Sequence, residues 1–420
     1  MANAQDRSEE IEELEPQGSP PPQSDIQDRM VIDDSKSKGA WYKNFRVGYD
    51  KGLFVKTLDG DFYIKINGFG QAEFSVTESE GKGPSTKFGI KRHRIIFSGN
   101  VFRPWFLITV ATGDDGEGLE LTDVYLTGAF KTKYGEVITP RVGKFKVPFT
   151  REELTPSERL QFVDRSITSH EFAIDRESGA ATYGVLGQYV TYGAGVFNGS
   201  RGIGNIDASG LVYAGRVQFT PCCGKLVYSG NSQFPSGGSY AYVPQNFDQR
   251  YKPTFAIAVA TWGSPGVNTD QKSPSDALTT RFNEIFAGTD VEPVADVVGL
   301  TTDINFKYWP LSIEGDYEAR WIMPKSIEPG SVFDQGFRVQ FGIFLVPKVV
   351  EVAGRYAWIT YDHDVKGKYK SWAFTPGLNF YLSRDNRWKV QLDYSYTMNE
   401  DTGRNVNSQN QFTAQLTAYF

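Results

Sequence analysis

The chain has 420 residues and carries 44 Lys and Arg against 50 Asp and Glu, a formal charge of −6. Only 40% of it is hydrophobic, and nowhere do about 18 apolar residues run together, which excludes a membrane protein built of helices. Aromatic residues reach 14%, whereas there are only 2 Cys and 3 His, so thiol chemistry and metal clusters have few residues to draw on.

The first 40 residues hold ten acids and four bases, the whole excess of negative charge. Pro16 and Pro20 to Pro22 interrupt them, and large apolar groups are scarce. Such a segment buries too little surface to offset its ordering entropy, so a flexible acidic tail is expected over 1–55. No charged and then apolar leader is visible ahead of it. Ala2-Asn3-Ala4 has the small-x-small form of a cleavage site and reads equally as the remnant of an export signal or as an ordinary start. Beyond the tail the charges balance, which argues against a nucleic-acid partner, because phosphates call for a basic surface.

From residue 62 the pattern has period two. Phe62, Ile64, Ile66, Ala72, Phe74 and Val76 fall on one face of an extended segment, and Tyr63, Lys65, Asn67, Gln71, Glu73 and Ser75 on the other. The alternation recurs at Val298–Tyr308, Leu311–Trp321, Trp388–Tyr396 and Phe412–Phe420. Sixteen strands are predicted near 62–76, 87–98, 105–112, 119–131, 137–147, 181–187, 189–198, 210–220, 225–234, 294–309, 311–323, 336–345, 348–361, 370–382, 388–398 and 410–420. Many exceed the usual globular length of about 5–6 residues and match the roughly 9–11 that a tilted membrane strand needs. An even count, an apolar face and a charged face together predict an all-β fold, a 16-stranded antiparallel transmembrane β-barrel over 60–420. A soluble sandwich with a charged outer face is the other reading.

Connections sort into two ends. Pro221–Gly224, Trp309-Pro310, Val346–Lys348 and Ser383–Arg387 are short, whereas 148–180, 235–293, 324–335, 362–369 and 399–409 are long. Short inner turns and long outer loops are the asymmetry of outer-membrane barrels. Phe255–Val259 could be a further strand but is assigned to an outer loop spanning 235–293. Trp262, Trp309, Trp321 and Trp388 suit interfacial girdles, and the final Tyr419-Phe420 resembles a barrel assembly signal.

No catalytic constellation emerges, no cofactor is implied, and an enzyme is not expected. Asp362-His363-Asp364 reads as solvated loop charge before a cation site. Glu314, Asp316 and Glu318 read as polar lumen lining, with Arg320 on the same face to pair with them. Cys222-Cys223 could form a strained vicinal disulfide or stay as two thiols.

The segment with most mechanism in it follows the fifth strand. Leu154, Leu160, Phe162 and Val163 give the loop an apolar content that full exposure does not require, which suggests packing against the barrel interior. Here the chain resembles the phosphate-selective porin O/P family. The resemblance rests on Val142-Gly143-Lys144-Phe145-Lys146-Val147-Pro148-Phe149 with Glu153-Leu154-Thr155, on Phe162-Val163-Asp164-Arg165-Ser166, on Ala194–Gly199 and on Gly215–Pro221. It implies a trimeric outer-membrane porin set in a lipid bilayer with a lipopolysaccharide-type outer leaflet. It also implies that 148–180, the third outer loop, folds inward as the constriction.

A pore for passive diffusion of small hydrophilic solutes, with a modest anion or phosphate preference, is therefore expected. Arg92, Arg94, Arg141, Lys144, Lys146, Arg151, Arg159 and Arg165 are the expected pore-lining, anion-binding residues. Lys91 and His93 crowd the same second strand. Against strict phosphate selectivity, loop 148–180 has four bases and seven acids. Either the acids make a mixed-charge eyelet, or they neutralise some arginines and leave others for solute. A plugged structural or adhesive barrel is the alternative function; a secreted sandwich hydrolase using two carboxylates is a third.

Overall fold

The computed structural model describes residues 45–420 except 51, 59, 101–105, 115–119, 129, 132–136, 187–188, 201–209, 222–252, 270–272, 309, 327–329 and 384–386. A short hairpin, β1 (Phe45–Tyr49) and β2 (Leu53–Thr57), precedes β3 (Tyr63–Ser79), β4 (Ser85–Asn100) and β5 (Phe106–Asp114). Next come β6 (Glu120–Gly128), its continuation β7 (Phe130–Lys131) and β8 (Val137–Lys146). A segment with helices α1 (Arg151–Leu154) and α2 (Ile167–Phe172) leads to β9 (Arg176–Leu186), β10 (Val190–Phe197), β11 (Val212–Phe219) and β12 (Thr254–Asn268). Helix α3 (Asp276–Ile285) follows, then β13 (Val294–Tyr308), β14 (Leu311–Pro324), β15 (Val332–Val346) and β16 (Val350–Thr360). The chain finishes with β17 (Lys368–Tyr381), β18 (Trp388–Asp401) and β19 (Val406–Tyr419).

Every neighbouring pair is antiparallel, and β19 returns to β3 from Tyr419↔Phe69 to Gln409↔Ser79. Leaving aside the β1–β2 hairpin and the β7 continuation, sixteen strands close into a ring. At the seam Phe420 donates its N–H to the Gly68 carbonyl at 2.9 Å and accepts from Gly68 N–H at 3.2 Å, so the C-terminal residue completes the ladder.

The polarity is inverted relative to a soluble protein. Along β15, Phe337, Val339 and Phe341 are 36–48% exposed, while Arg338 and Gln340 between them are buried. The same alternation holds on β13 and β18. An apolar belt of this extent on the outside, with charge inside, is stable only against hydrocarbon. The closed ring and this inversion exclude the sandwich.

Three expectations change. The ninth ring strand is β12, not 225–234, which lies outside the described residues, as do Cys222 and Cys223. Residues 254–268, assigned from sequence to the 235–293 outer loop, alternate Ile257 and Val259 outward with Ala256, Ala258 and Ala260 buried. Both faces are apolar because the inner one meets packed protein rather than water, so the polar half of the signature is missing. The short turn expected at Pro221–Gly224 lies, beyond Pro221, outside the described residues. Residues 45–55, counted in the tail, belong to the β1–β2 hairpin, held by five register pairs and docked on β3. Trp262, expected in a girdle, is buried inside at 6.5 Å from Phe149.

Candidate functional site

The chain between β8 and β9 turns into the ring. Thr150 caps α1 by accepting from Glu153 N–H, and Ser166 caps α2 by accepting from Ser169 N–H, so two short helical turns hold without length. Leu154, Leu160, Phe162 and Val163 are all buried. Val147, Phe149, Leu154 and Ile174 join one apolar core with Phe145, Tyr183, Phe197 and Trp262 of the wall and with Leu278 and Phe282 of α3. Each large side chain so buried contributes about 1.5–3 kcal/mol. The wall makes room with glycine: a Cβ on Gly377 would stand 3.1 Å from the Phe162 ring, and one on Gly336 3.0 Å from Phe172.

Polar fastening runs around the β11–β18 side. Arg151 donates to Asp303 at 2.6 Å and to Gln218 at 2.9 Å, and Arg216 pairs with the same Asp303 at 2.7 Å while reaching the Phe149 carbonyl. Glu152 lies 3.3 Å from Arg355 and 3.6 Å from Arg338. Gln161 donates to Glu351 at 2.7 Å, and its carbonyl accepts from Asn379 at 2.9 Å. Lys389 donates to the Leu160 carbonyl, and Val163 N–H to Asp393. Glu171 accepts from Arg320, Tyr361 and Lys368 at 2.8–3.2 Å. Arg320 therefore serves the loop and Asp334, not Glu314 or Asp316, which pair with Arg338 of the next strand.

Several loop acids reach the other side, and Asp164 is the one that meets β4. Asp164 takes Arg92 at 3.0 Å and Lys91 at 3.3 Å. A register shift between Gln71 and Ala72 leaves Lys91 as an extra residue in β4, which lets it and Arg92 both turn inward. Burial raises the Asp164 carboxyl, but Arg92 and Lys91 more than reverse this and hold it at about 2. Burial likewise works against the Glu152 charge, and Arg338, Arg355 and the Ser166 hydrogen bonds outweigh it, leaving that carboxyl below its usual range. Burial lowers the His170 imidazole despite the nearby Asp164.

Between the loop and the opposite wall lies a cavity of about 60 Å³, bounded by β3, β4, β6, β8, β9 and the end of β19. Five cations line it, Arg94, Arg141, Lys146, Arg159 and Arg176, against two acids, Asp123 and Glu158. Phe69, Tyr125, Phe145, Tyr183 and Tyr419 supply aromatic surface. The Arg141 guanidinium sits 4.1 Å from the Tyr125 ring, 5.0 Å from Tyr183 and 5.3 Å from Phe145, and its Nε donates to Thr127. Arg94 lies 5.8 Å over Phe69. Lys146 pairs with Glu153 at 3.1 Å, and Arg176 with Asp123 and Asp175, both at 3.1 Å.

The eight expected pore cations thus divide. Arg94, Arg141, Lys146 and Arg159 meet at the cavity. Arg92 is spent on Asp164 and Arg165 on Glu153 at 2.9 Å. Arg151 is fully buried in its ion pair and faces no solute path. Lys144 stands opposite Val124, on the outward register of Val142 (61% exposed) and Leu126 (41%), not in the lumen. Arg176 was missed because it lay in what the pattern gave as loop, yet β9 begins there.

The model of phosphate-selective porin O and P matches residues 64–321, well over half of the chain. The chain belongs to that family. This porin is an outer-membrane barrel for passive diffusion of small hydrophilic solutes. Solved structures share its fold at low identity. Pseudomonas putida OprB matches with TM-score 0.58 and 8% identity, over 86% of this chain and 95% of that one. The outer membrane channel DcaP of Acinetobacter baumannii gives 0.54 and 11%, over 87% and 99%. The trimer form of Vibrio cholerae OmpT gives 0.51 and 12%, over 85% and 99%. A comparison with curated protein sequences gave no match.

Proposed function

We propose that this porin conducts small anions in preference to cations, with 148–175 as its constriction and the cavity beside β4–β9 as the narrow part of the path. The observation that carries the reading is the division of charge. The acids Glu152, Asp164 and Glu171 of the loop are tied to wall cations, whereas five cations and two acids line the cavity. Fixed positive charge in a narrow, partly desolvated passage attracts anions and repels cations. The family name supports phosphate among the permeant anions, and the two acids in the lining argue for a modest preference rather than strict selectivity.

The chemistry is passage, not turnover: the clustered carboxylates Glu314 and Asp316 are engaged by Arg338, and we read the protein as a channel without enzymatic activity. A homotrimer is the assembly we expect, in keeping with the trimer form of OmpT. The test is the reversal potential of the purified porin in a planar bilayer under a KCl gradient. The sign for anion preference supports the reading, and zero or the opposite sign rejects it. The extensive contact of the loop with β11–β18 favours a second reading, a plugged barrel, which predicts a folded protein without single-channel steps.

A further inference from the structure

Phosphate and organic anions differ in what they ask of a site. A hydrated dianion must exchange water for several donors at once, and each neighbouring carboxylate repels it twice over. A monocarboxylate asks for one forked donor and can carry an apolar body that gains from dry aromatic surface. The cavity beside β4–β9 offers the second set of conditions. Three of its five cations are already shared with carboxylates: Arg176 with Asp123 and Asp175, Lys146 with Glu153, and Arg159 with Glu158. Arg141 differs. Its contacts are the Thr127 hydroxyl at Nε and three ring faces, and no carboxylate pairs with it among the described residues. With Nε used, the two terminal nitrogens form the fork that a carboxylate fits. Around it the lining is Phe69, Tyr125, Phe145, Tyr183, Ile96 and Leu154, while Asp123 and Glu158 stand in the same cavity to oppose a second negative charge.

We propose that this cavity is a transit binding site for monocarboxylates with a flat apolar body, preferred over phosphate, Arg141 holding the carboxylate and the surrounding rings the body. The proposal rests on the anion-conducting reading above and names its solute class.

The test uses the full-length porin in planar bilayers bathed in KCl, with sodium benzoate, sodium acetate or sodium phosphate added on one side. Benzoate is expected to reduce the KCl current at concentrations at least tenfold below those at which acetate or phosphate does so. Arg141→Lys, which keeps the charge but not the planar fork, is expected to bring benzoate within about threefold of acetate. Equal block by benzoate and acetate, or strongest block by phosphate, overturns the proposal and leaves the anion preference standing. A reversal potential showing no anion preference overturns the underlying reading instead. The wild-type comparison needs no variant, so a misfolded Arg141→Lys protein does not shield the proposal.

Discussion

The two halves of the lumen wall use the same residue types for opposite ends. On the β11–β18 half, the wall arginines Arg216, Arg320, Arg338 and Arg355 and Arg151 of the loop are buried, and each has a carboxylate of the loop or of the wall beside it. On the β4–β9 half, arginines line a cavity, and Arg141 and Arg94 lie over aromatic rings. A negatively charged loop therefore need not make a negative pore. Its acids serve as anchors to cations on both sides, and the cavity lining still holds five cations to two acids. Charge counted along a segment says little about the pore until the geometry shows which charges cancel.

The largest effect is expected where the anchored half is broken. Arg151→Ala would leave Asp303 with Arg216 alone and Gln218 without its donor, in a fully buried setting. Removing one partner of such a pair costs about 3–5 kcal/mol. The loop should then loosen at α1, with larger and noisier single-channel conductance and faster proteolysis within 148–175. Conductance and cleavage rate equal to wild type would mean that the loop is held mainly by its apolar core.

Breaking the cavity half should change selectivity and leave the scaffold intact. Arg94→Gln with Arg141→Gln removes two of the five cations, and the anion-to-cation permeability ratio should fall severalfold with little change in detergent-gel heat stability. An unchanged ratio would move the selective step elsewhere in the lumen.

How much of this was legible follows from which surfaces read the sequence. Two solvents, hydrocarbon and water, each read one pleat face, so β13–β19 stand out as alternating strings. β12 does not, because its inner alanines face packed protein. The loop partners were not legible at all: Arg151 and Asp303 are 152 residues apart and meet only because the loop crosses the ring. The cations of β4 were half legible, since alternation gives an inward pair but not the bulge at Lys91 that adds a third. Arg176 shows the cost of misplacing a strand start by five residues.

Acid should probe the bond from the loop to β4 that joins the two halves. Asp164 is held at about 2 against an ordinary 3.8, so its folded value is depressed. The stabilisation is therefore complete above about pH 4 and lost as pH falls through 2. His170 is also depressed and acts in the same direction, favouring the folded loop at pH above its ordinary value of 6.5 and giving up that contribution as pH falls. Gating noise should stay low at pH 4 and rise near pH 2. Asp164→Asn should show that noise at neutral pH. A transition centred at pH 4 or above would point to His170 or to other carboxylates.

The smallest effect is expected at Lys144, and it tests the pleat directly. Arg141 and Lys144 are three residues apart, so on a regular strand they point to opposite faces. The register agrees, with Arg141 opposite Thr127 and Lys144 opposite Val124. If Arg141 supplies the pore with charge, Lys144 cannot, and Lys144→Gln should leave the reversal potential at its wild-type value while Arg141→Gln shifts it. Equal shifts from both would require the inward and outward faces of β8 to be exchanged beyond Gly143, whose φ of 132° marks the point where the strand departs from regular geometry. Measured side by side, the two substitutions separate a lumen whose charge is set by register from one whose charge is set by composition alone.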